Sequence, residues 1–103
     1  MTTRVGEKFQ ARIVYTVPHM QHLSVTRDVV YKIVAGAALR LDIYYPPGVD
    51  KGHRYPSIIV MHGEAPPAIL QSAKEWGQFV SWAELLAAHG FVTVTFNRRS
   101  SQW

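Results

Sequence analysis

The sequence predicts an α/β fold in which an antiparallel β-hairpin leads into a parallel β-α-β unit. Two observations support this fold class: an apolar alternation that follows Ala35-Gly36, and a succession of apolar run, helical pattern and second apolar run over residues 57–96. Alternation is the period of a strand with one buried face. A strand, a helix and a strand of this combined length are typical of a parallel crossover.

The hairpin is predicted over residues 25–45. Residues 25–34 are rich in β-branched and aromatic side chains, and Ala35-Gly36 supplies the turn. In the second strand, alternation places four apolar side chains on one face, and we expect that face to meet a core. These four residues are Leu39, Leu41, Ile43 and Tyr45. Arg40 and Asp42 are expected to point the other way.

The β-α-β unit is predicted over residues 57–96. Residues 57–61 are apolar without alternation, which is typical of a strand buried on both faces of a parallel sheet. The helix is predicted from apolar residues at three- and four-residue spacings, and Gly90 is expected to end it. Its apolar face comprises Trp76, Phe79, Val80, Ala83, Leu86 and Ala87. Residues 91–96 are predicted as the second strand.

The flanking segments are short and polar. Residues 1–10 are predicted to be disordered, and residues 11–17 are predicted to form a short strand that Pro18 ends. Residues 97–103 are a polar tail. Arg98 and Arg99 follow the last strand at the end where open α/β sheets place their ligands, or they belong to a basic tail without such a role.

The bulk composition excludes several classes of function. The net charge is +4, but the basic residues are scattered and do not concentrate as a nucleic-acid surface requires. The chain has no cysteine, so disulfides and thiolate ligands are excluded. His19 and His22 lack further ligands at an informative spacing, so no metal site is predicted. No membrane span or signal-peptide core is found, and we expect a cytoplasmic protein without nucleic-acid or membrane partners.

Three segments of the sequence carry, by their order and spacing, a resemblance to a known family. They are residues 28–31 (DVVY) with 39–48 (LRLDIYYPPG), residues 56–63 (PSIIVMHG), and residues 85–99 (LLAAHGFVTVTFNRR). Together they resemble the front end of α/β-hydrolases of the dienelactone-hydrolase and acyl-esterase type. The resemblance spans residues 11–101 and implies that residues 1–103 form a single partial domain, the amino-terminal part of an α/β-hydrolase fold.

The resemblance implies acyl-transfer chemistry. In this family a serine attacks an ester carbonyl, a histidine transfers the proton and an acid orients the histidine, without a metal or an organic cofactor. The serine lies on a sharp turn with the pattern Gly-x-Ser-x-Gly, and the triad follows the His-Gly loop along the chain. The serines here, at positions 24, 57, 72, 81, 100 and 101, all lack those flanking glycines. No catalytic residue is predicted in this chain, and the substrate implied for a full-length relative is a small-molecule ester.

The resemblance also implies an oxyanion loop, whose backbone amides stabilise the carbonyl oxygen as it becomes negative. At the matching position this chain has His62, Gly63, Glu64 and Ala65. The family's usual loop carries further glycines where Glu64 and Ala65 stand, because close backbone approach to a substrate tolerates no side chain. The alternative is that Gly63 only lets the chain turn after a buried strand and that His62 anchors the loop through a hydrogen bond.

Three functional hypotheses follow from these residues. In the first, the chain is a truncated esterase-like α/β-hydrolase that is inactive alone because it lacks the Ser-Asp-His triad. In the second, it is a non-catalytic interaction or ligand-binding module, and in the third it is one half of a two-chain hydrolase. Without the serine-elbow strand, the strand of residues 57–61 becomes an open sheet edge. We therefore expect a marginally stable chain that self-associates through exposed sheet edges.

Overall fold

The computed structural model of the chain describes residue 17 and residues 20–50, 52–61, 63 and 72–98. These residues form four strands and one α-helix, with short 3-10 turns at Met20–His22 and Ala73–Glu75. The elements are β1 (Ser24–Val34), β2 (Ala37–Tyr45), β3 (Ser57–Val60), α1 (Gly77–Ala88) and β4 (Val92–Phe96). The α/β class, the hairpin and the β-α-β unit are confirmed. The strand predicted for residues 11–17 lies outside the described residues except for Val17, as do residues 1–10.

The hairpin turn explains why two residues suffice to join β1 and β2. Ala35 (φ 51°) and Gly36 (φ 81°) both have left-handed backbone conformations. Positive φ at both central positions is the geometry of a type I′ turn, whose twist matches that of antiparallel strands. The pairing then runs from Val34 opposite Ala37 to Ser24 opposite Tyr45, with two register shifts in β1. One of these shifts falls between Thr26 and Val29.

The four strands form one mixed sheet in the order β1-β2-β4-β3. β2 is antiparallel to both of its neighbours, whereas β3 and β4 are parallel. Helix α1 connects the parallel pair, as a parallel connection requires. Within the described residues, β1 and β3 are therefore the two edge strands.

Helix α1 ends at a Schellman motif centred on Gly90. The N–H of Gly90 (φ 98°) donates to the Ala87 carbonyl at 3.0 Å, and the N–H of Phe91 donates to the Leu86 carbonyl at 3.2 Å. The predicted stop at Gly90 is confirmed. Two residues of the predicted stripe, Ala83 and Ala87, are fully buried as expected, but the other buried residues of the helix are Gly77 and Ser81, and the larger members of the stripe are only half-buried. Trp76 and Phe79 instead stack on each other, half-buried, with ring centroids 5.5 Å apart.

The core lies between α1 and the face of the sheet that carries Tyr44. Tyr44, Ala83 and Ala87 are 0% exposed and form one cluster. In register with Tyr44 and Asp42 on this face are Thr93 and Thr95, which are also buried. Much of the buried material is therefore polar, and the apolar core of the described residues is small.

This arrangement corrects the predicted facing of β2. Leu39 is buried as expected, but Leu41, Ile43 and Tyr45 are only half-buried, whereas Asp42 is 0% exposed. The reason is that the one described helix packs on the opposite face of the sheet from these apolar residues. We call the other side the open face.

Strand β3 is likewise not buried on both faces. Ile58 and Val60 are half-buried, but Ile59 is 63% exposed and Met61, just after the strand, is 70% exposed. Ile59 lies on the open face because it pairs with Val94, the neighbour of Ile43. The parallel pairing that the apolar run predicts is confirmed. The predicted burial on both faces is wrong for the described residues, because they cover only one face of the strand. Among these residues, no helix combines the length and apolar character needed to cross a bilayer.

Candidate functional site

The carboxyl ends of β3 and β4 lie at the same edge of the sheet, because these strands are parallel. Open α/β sheets bind ligands at this edge. Of the four residues predicted for the oxyanion loop, Gly63 is described and is exposed; His62, Glu64 and Ala65 lie outside the described residues. A Cβ atom added at Gly63 would meet open space, so steric crowding does not require glycine there. The assignment of the oxyanion loop stays a prediction.

A buried cluster of charges lies beside this edge. The Lys74 ammonium is 2.9 Å from Asp28 Oδ1 and 3.1 Å from Asp42 Oδ1. The side chain of Lys74 is 2% exposed and that of Asp42 is 0% exposed, so this ion pair is removed from water. Asp28 and Glu75, which also contact Lys74, are more than half exposed. Burial of a charge is costly unless it is paired and hydrogen-bonded, and here each charge depends on the other.

The register shift between Thr26 and Val29 in β1 supplies two further partners to the Asp42 carboxylate. Asp28 lies in this shift with φ 59°, a left-handed conformation that is uncommon outside glycine but tolerated by aspartate. Its N–H donates to Asp42 Oδ1 at 2.9 Å, while the Arg27 guanidinium lies 3.4 Å from Asp42 Oδ2. The irregularity therefore directs a backbone donor and a second cation at the buried carboxylate.

Lys74 also connects the segment before α1 to the end of β4. Its backbone N–H donates to Asn97 Oδ1 at 2.8 Å, and its carbonyl accepts from Thr95 Oγ1 at 3.4 Å. Asn97 is tied to β2 in turn, because its N–H donates to the Arg40 carbonyl at 2.9 Å. The Tyr31 hydroxyl donates to the Asn97 carbonyl. The cluster thus fixes residues 72–76 against three strands.

The protonation states in the cluster favour an anchoring role. Burial lowers the pKa of Lys74, but the hydrogen bonds that its ammonium donates to Asp28 and Asp42 and the charge of Asp42 outweigh this effect, so the pKa lies above its ordinary 10.5. The Lys74 hydrogen bond and charge hold the pKa of Asp28 below its ordinary 3.8. At neutral pH the ammonium is protonated and is neither a base nor a nucleophile. The contacts of the cluster position the backbone of residues 72–76 against the sheet.

Sequence reasoning missed this cluster. It assigned Asp42 to the outward face of the hairpin and gave no role to Asp28, Lys74 or Asn97. Lys74 is 32 residues from Asp42, and no local pattern marks such a pair. Arg98, the other residue considered at this edge, is half-buried, and Arg99 lies outside the described residues.

Comparison with protein-family models and with curated proteins gives no match. Among solved structures, the chain is similar to the hypothetical protein PA2218 from Pseudomonas aeruginosa, with a TM-score of 0.43 and 24% sequence identity. The likeness covers 75% of this chain and 21% of that protein, so the chain spans about a fifth of its length. A likeness at this level carries no argument about function.

Proposed function

We propose that residues 1–103 are the amino-terminal scaffold of an esterase-type α/β-hydrolase domain and that the chain alone hydrolyses no ester. The observation that supports this proposal is the sheet order β1-β2-β4-β3 with an antiparallel β2. The resemblance implies that the strand of residues 57–61 has the strand of residues 91–96 on one side and the serine-elbow strand on the other. β4 occupies the first side of β3, and the described residues leave the second side free.

The open face supports the same proposal. Parallel sheets normally carry elements on both faces, because their strands are apolar throughout. Here Ile59 and Met61 are 63% and 70% exposed, and the half-buried Val94 and Ile43 lie on the same face as Ile59. These side chains form a surface that the remaining elements of a complete domain would bury.

The charge cluster has a defined part in this scheme. β3 fixes the upstream end of the connection that contains His62 and Gly63, and Lys74 fixes its downstream end through Asp42 and Asn97. An oxyanion site lowers the barrier of acyl transfer through amides that are positioned before the substrate arrives, and anchors at the two ends of the connection would contribute to that in the proposed domain. The chain supplies this support and no nucleophile.

The test is a fusion in which this chain is joined after residue 98 to the elbow strand and remaining part of an esterase of the same type. We expect the fusion to hydrolyse p-nitrophenyl acetate and to be labelled stoichiometrically by a fluorophosphonate. The matched control replaces the elbow serine by alanine and should not be labelled. A fusion that unfolds cooperatively in urea yet remains unlabelled contradicts the proposal.

A further inference from the structure

A cavity of about 570 Å³ lies at the opposite end of the sheet from the His62-Gly63 loop. Its floor is the open face near the start of β1 and the end of β2, where Ser24 pairs with Tyr45. Its wall is the loop between β2 and β3, which contributes Val49 and Tyr55. The volume is in the range of sites for small organic ligands. The inference below is argued from the residues that line this cavity and concerns the chain by itself.

Asp50 organises the polar wall of this cavity. Its Oδ1 accepts the N–H of Gly52 at 2.9 Å, and its Oδ2 lies 2.8 Å from His53 Nδ1. Its own N–H donates to the Tyr55 hydroxyl at 2.8 Å, and its carbonyl accepts from the N–H of His53 at 3.0 Å. One residue therefore fixes both the imidazole and the phenol that line the cavity. These bonds all lie within one loop, and the side chains of Asp50 and His53 are 59% and 71% exposed, so both remain within reach of a ligand.

The bonding pattern determines what the two side chains offer to a ligand. With the Nδ1 proton of a neutral imidazole directed at Asp50, His53 Nε2 is a hydrogen-bond acceptor. The Tyr55 oxygen already accepts a bond from Asp50, so its hydroxyl proton is available as a donor. Among the described residues, neither His53 Nε2 nor the Tyr55 proton has a bonding partner. The wall thus presents one acceptor and one donor.

The remaining lining restricts the ligand further. Tyr45, Val49 and Val92 give an apolar floor and side, while the hydroxyls of Ser24 and Thr26 lie at its edge. The Asp50 carboxylate repels anions, and because it accepts the Nδ1 proton of His53, the neutral form of the imidazole presents Nε2 as an acceptor. We propose that this cavity binds a small, neutral aromatic alcohol or phenol, whose ring lies on Tyr45 and Val92 and whose hydroxyl bonds between His53 Nε2 and the Tyr55 hydroxyl.

The test compares three probes of one shape on the unaltered chain: 4-methylphenol, 4-methylanisole and 4-methylbenzoate. Amide shifts in ¹⁵N-resolved NMR are followed at about pH 8, where a free imidazole and a free phenol are both neutral. We expect 4-methylphenol to shift the amides of Thr26, His53 and Val92 and to saturate with a dissociation constant on the order of 1 mM. The anisole lacks the hydroxyl proton and should bind at least about tenfold more weakly, as should the anionic benzoate.

Two variants locate the bond. His53→Phe should weaken 4-methylphenol binding about tenfold, because it removes the acceptor and keeps an aromatic ring. His22→Phe makes the same change at an exposed turn residue and should leave binding unchanged. The proposal is overturned by equal or tighter binding of the anisole or the benzoate. The proposal is also overturned if 4-methylphenol shifts the amides of Ile59 and Val94 and none of those at the cavity. Both of these outcomes are measured on the unaltered chain, so they do not depend on whether a variant folds.

Discussion

Lys74 and Asp42 form an almost fully desolvated ion pair, and the segment before α1 is held through it. Both side chains are nearly inaccessible to water, and the partners of Asp42 come from two places in the chain, β1 and the 72–76 segment. Removing one charge leaves the other buried and uncompensated, which is among the most destabilising single changes in proteins.

Lys74→Met is therefore expected to lower the free energy of unfolding by about 3 kcal/mol or to unfold the chain altogether. Lys32→Met, the same substitution at an exposed position of β1, should change it by less than about 0.5 kcal/mol. Urea unfolding followed by tryptophan fluorescence measures both. The double variant Asp42→Leu, Lys74→Met should be more stable than the sum of its single changes predicts. Additive losses would show that the pair is not coupled.

The same cluster sets a pH dependence. The pKa of Asp28 is lower in the folded chain than its ordinary 3.8, so its contribution to stability is present above that value and is lost as the pH falls through the folded pKa. The pKa of Lys74 is raised above 10.5, so its contribution is complete below that value and is lost as the pH rises through the folded pKa. Neutral solution lies between the two limits.

Asp28→Asn should accordingly make the loss of stability between about pH 5 and pH 3 shallower than in the unaltered chain. Urea midpoints measured across that interval test this. In the Lys74→Met background the same Asp28→Asn change should have a smaller effect on the slope, because only the weaker attractions of Arg40 and Arg27 for Asp28 remain. If Asp28→Asn left the slope of stability against pH unchanged when Lys74 is present, Asp28 would not contribute to the pH dependence.

Sequence reasoning failed at Asp42 for a physical reason. Alternation separates two faces of a strand but does not say which face a helix covers, and it treats a charged residue as outward by default. The partner that makes burial of Asp42 tolerable lies on a 3-10 turn far along the chain. By contrast, the hairpin turn and the Gly90 stop depend on neighbouring residues, and both were predictable.

At the scale of elements, β3 presents two neighbouring isoleucines with opposite surroundings. Ile58 pairs with the buried Thr93 on the helix side, while Ile59 is 63% exposed on the open face. The apolar run predicted this strand and its parallel pairing, because both depend on residue type. It could not predict the exposure of Ile59, which depends on which elements are present to cover the sheet.

The pair Ile58→Lys and Ile59→Lys tests this asymmetry. Ile58→Lys should lower the free energy of unfolding by more than about 2 kcal/mol, because it places a charge at a half-buried position on the helix-covered side of the sheet. Ile59→Lys should change stability by about 0.5 kcal/mol or less and should reduce self-association, because a charge protects an exposed edge strand. Circular dichroism in urea and sedimentation velocity at several concentrations measure the two effects. Equal destabilisation by both changes would mean that the open face is covered.

Helix α1 packs closely because its inner residues are small. Ala83 and Ala87 are fully buried against Tyr44, so a larger side chain has no space there. Ala83→Leu is expected to lower the free energy of unfolding by about 1–3 kcal/mol. Gln78→Leu, the same new residue on the exposed side of the helix, should be nearly neutral. A neutral Ala83→Leu in a urea titration would show that the helix does not contact the sheet at this position.

At the scale of the molecule, the described residues form a sheet with one covered face, one open face and a free β3 edge. The fully buried residues are few and partly polar, so little apolar surface stabilises the fold. Both the free edge and the open face have a direct explanation in the proposed role as a hydrolase scaffold, which other elements complete. In that role none of the serines of this chain is the attacking hydroxyl, because none has the flanking glycines of a serine elbow.

The role proposed for this chain is to support acyl transfer without performing it. Intact-mass spectrometry of the purified chain during incubation with p-nitrophenyl acetate and, separately, with a fluorophosphonate, followed by peptide mapping, tests that role. We expect no fluorophosphonate adduct and no serine acyl adduct that forms and decays with turnover. A stoichiometric serine adduct accompanied by saturable release of p-nitrophenol would contradict it.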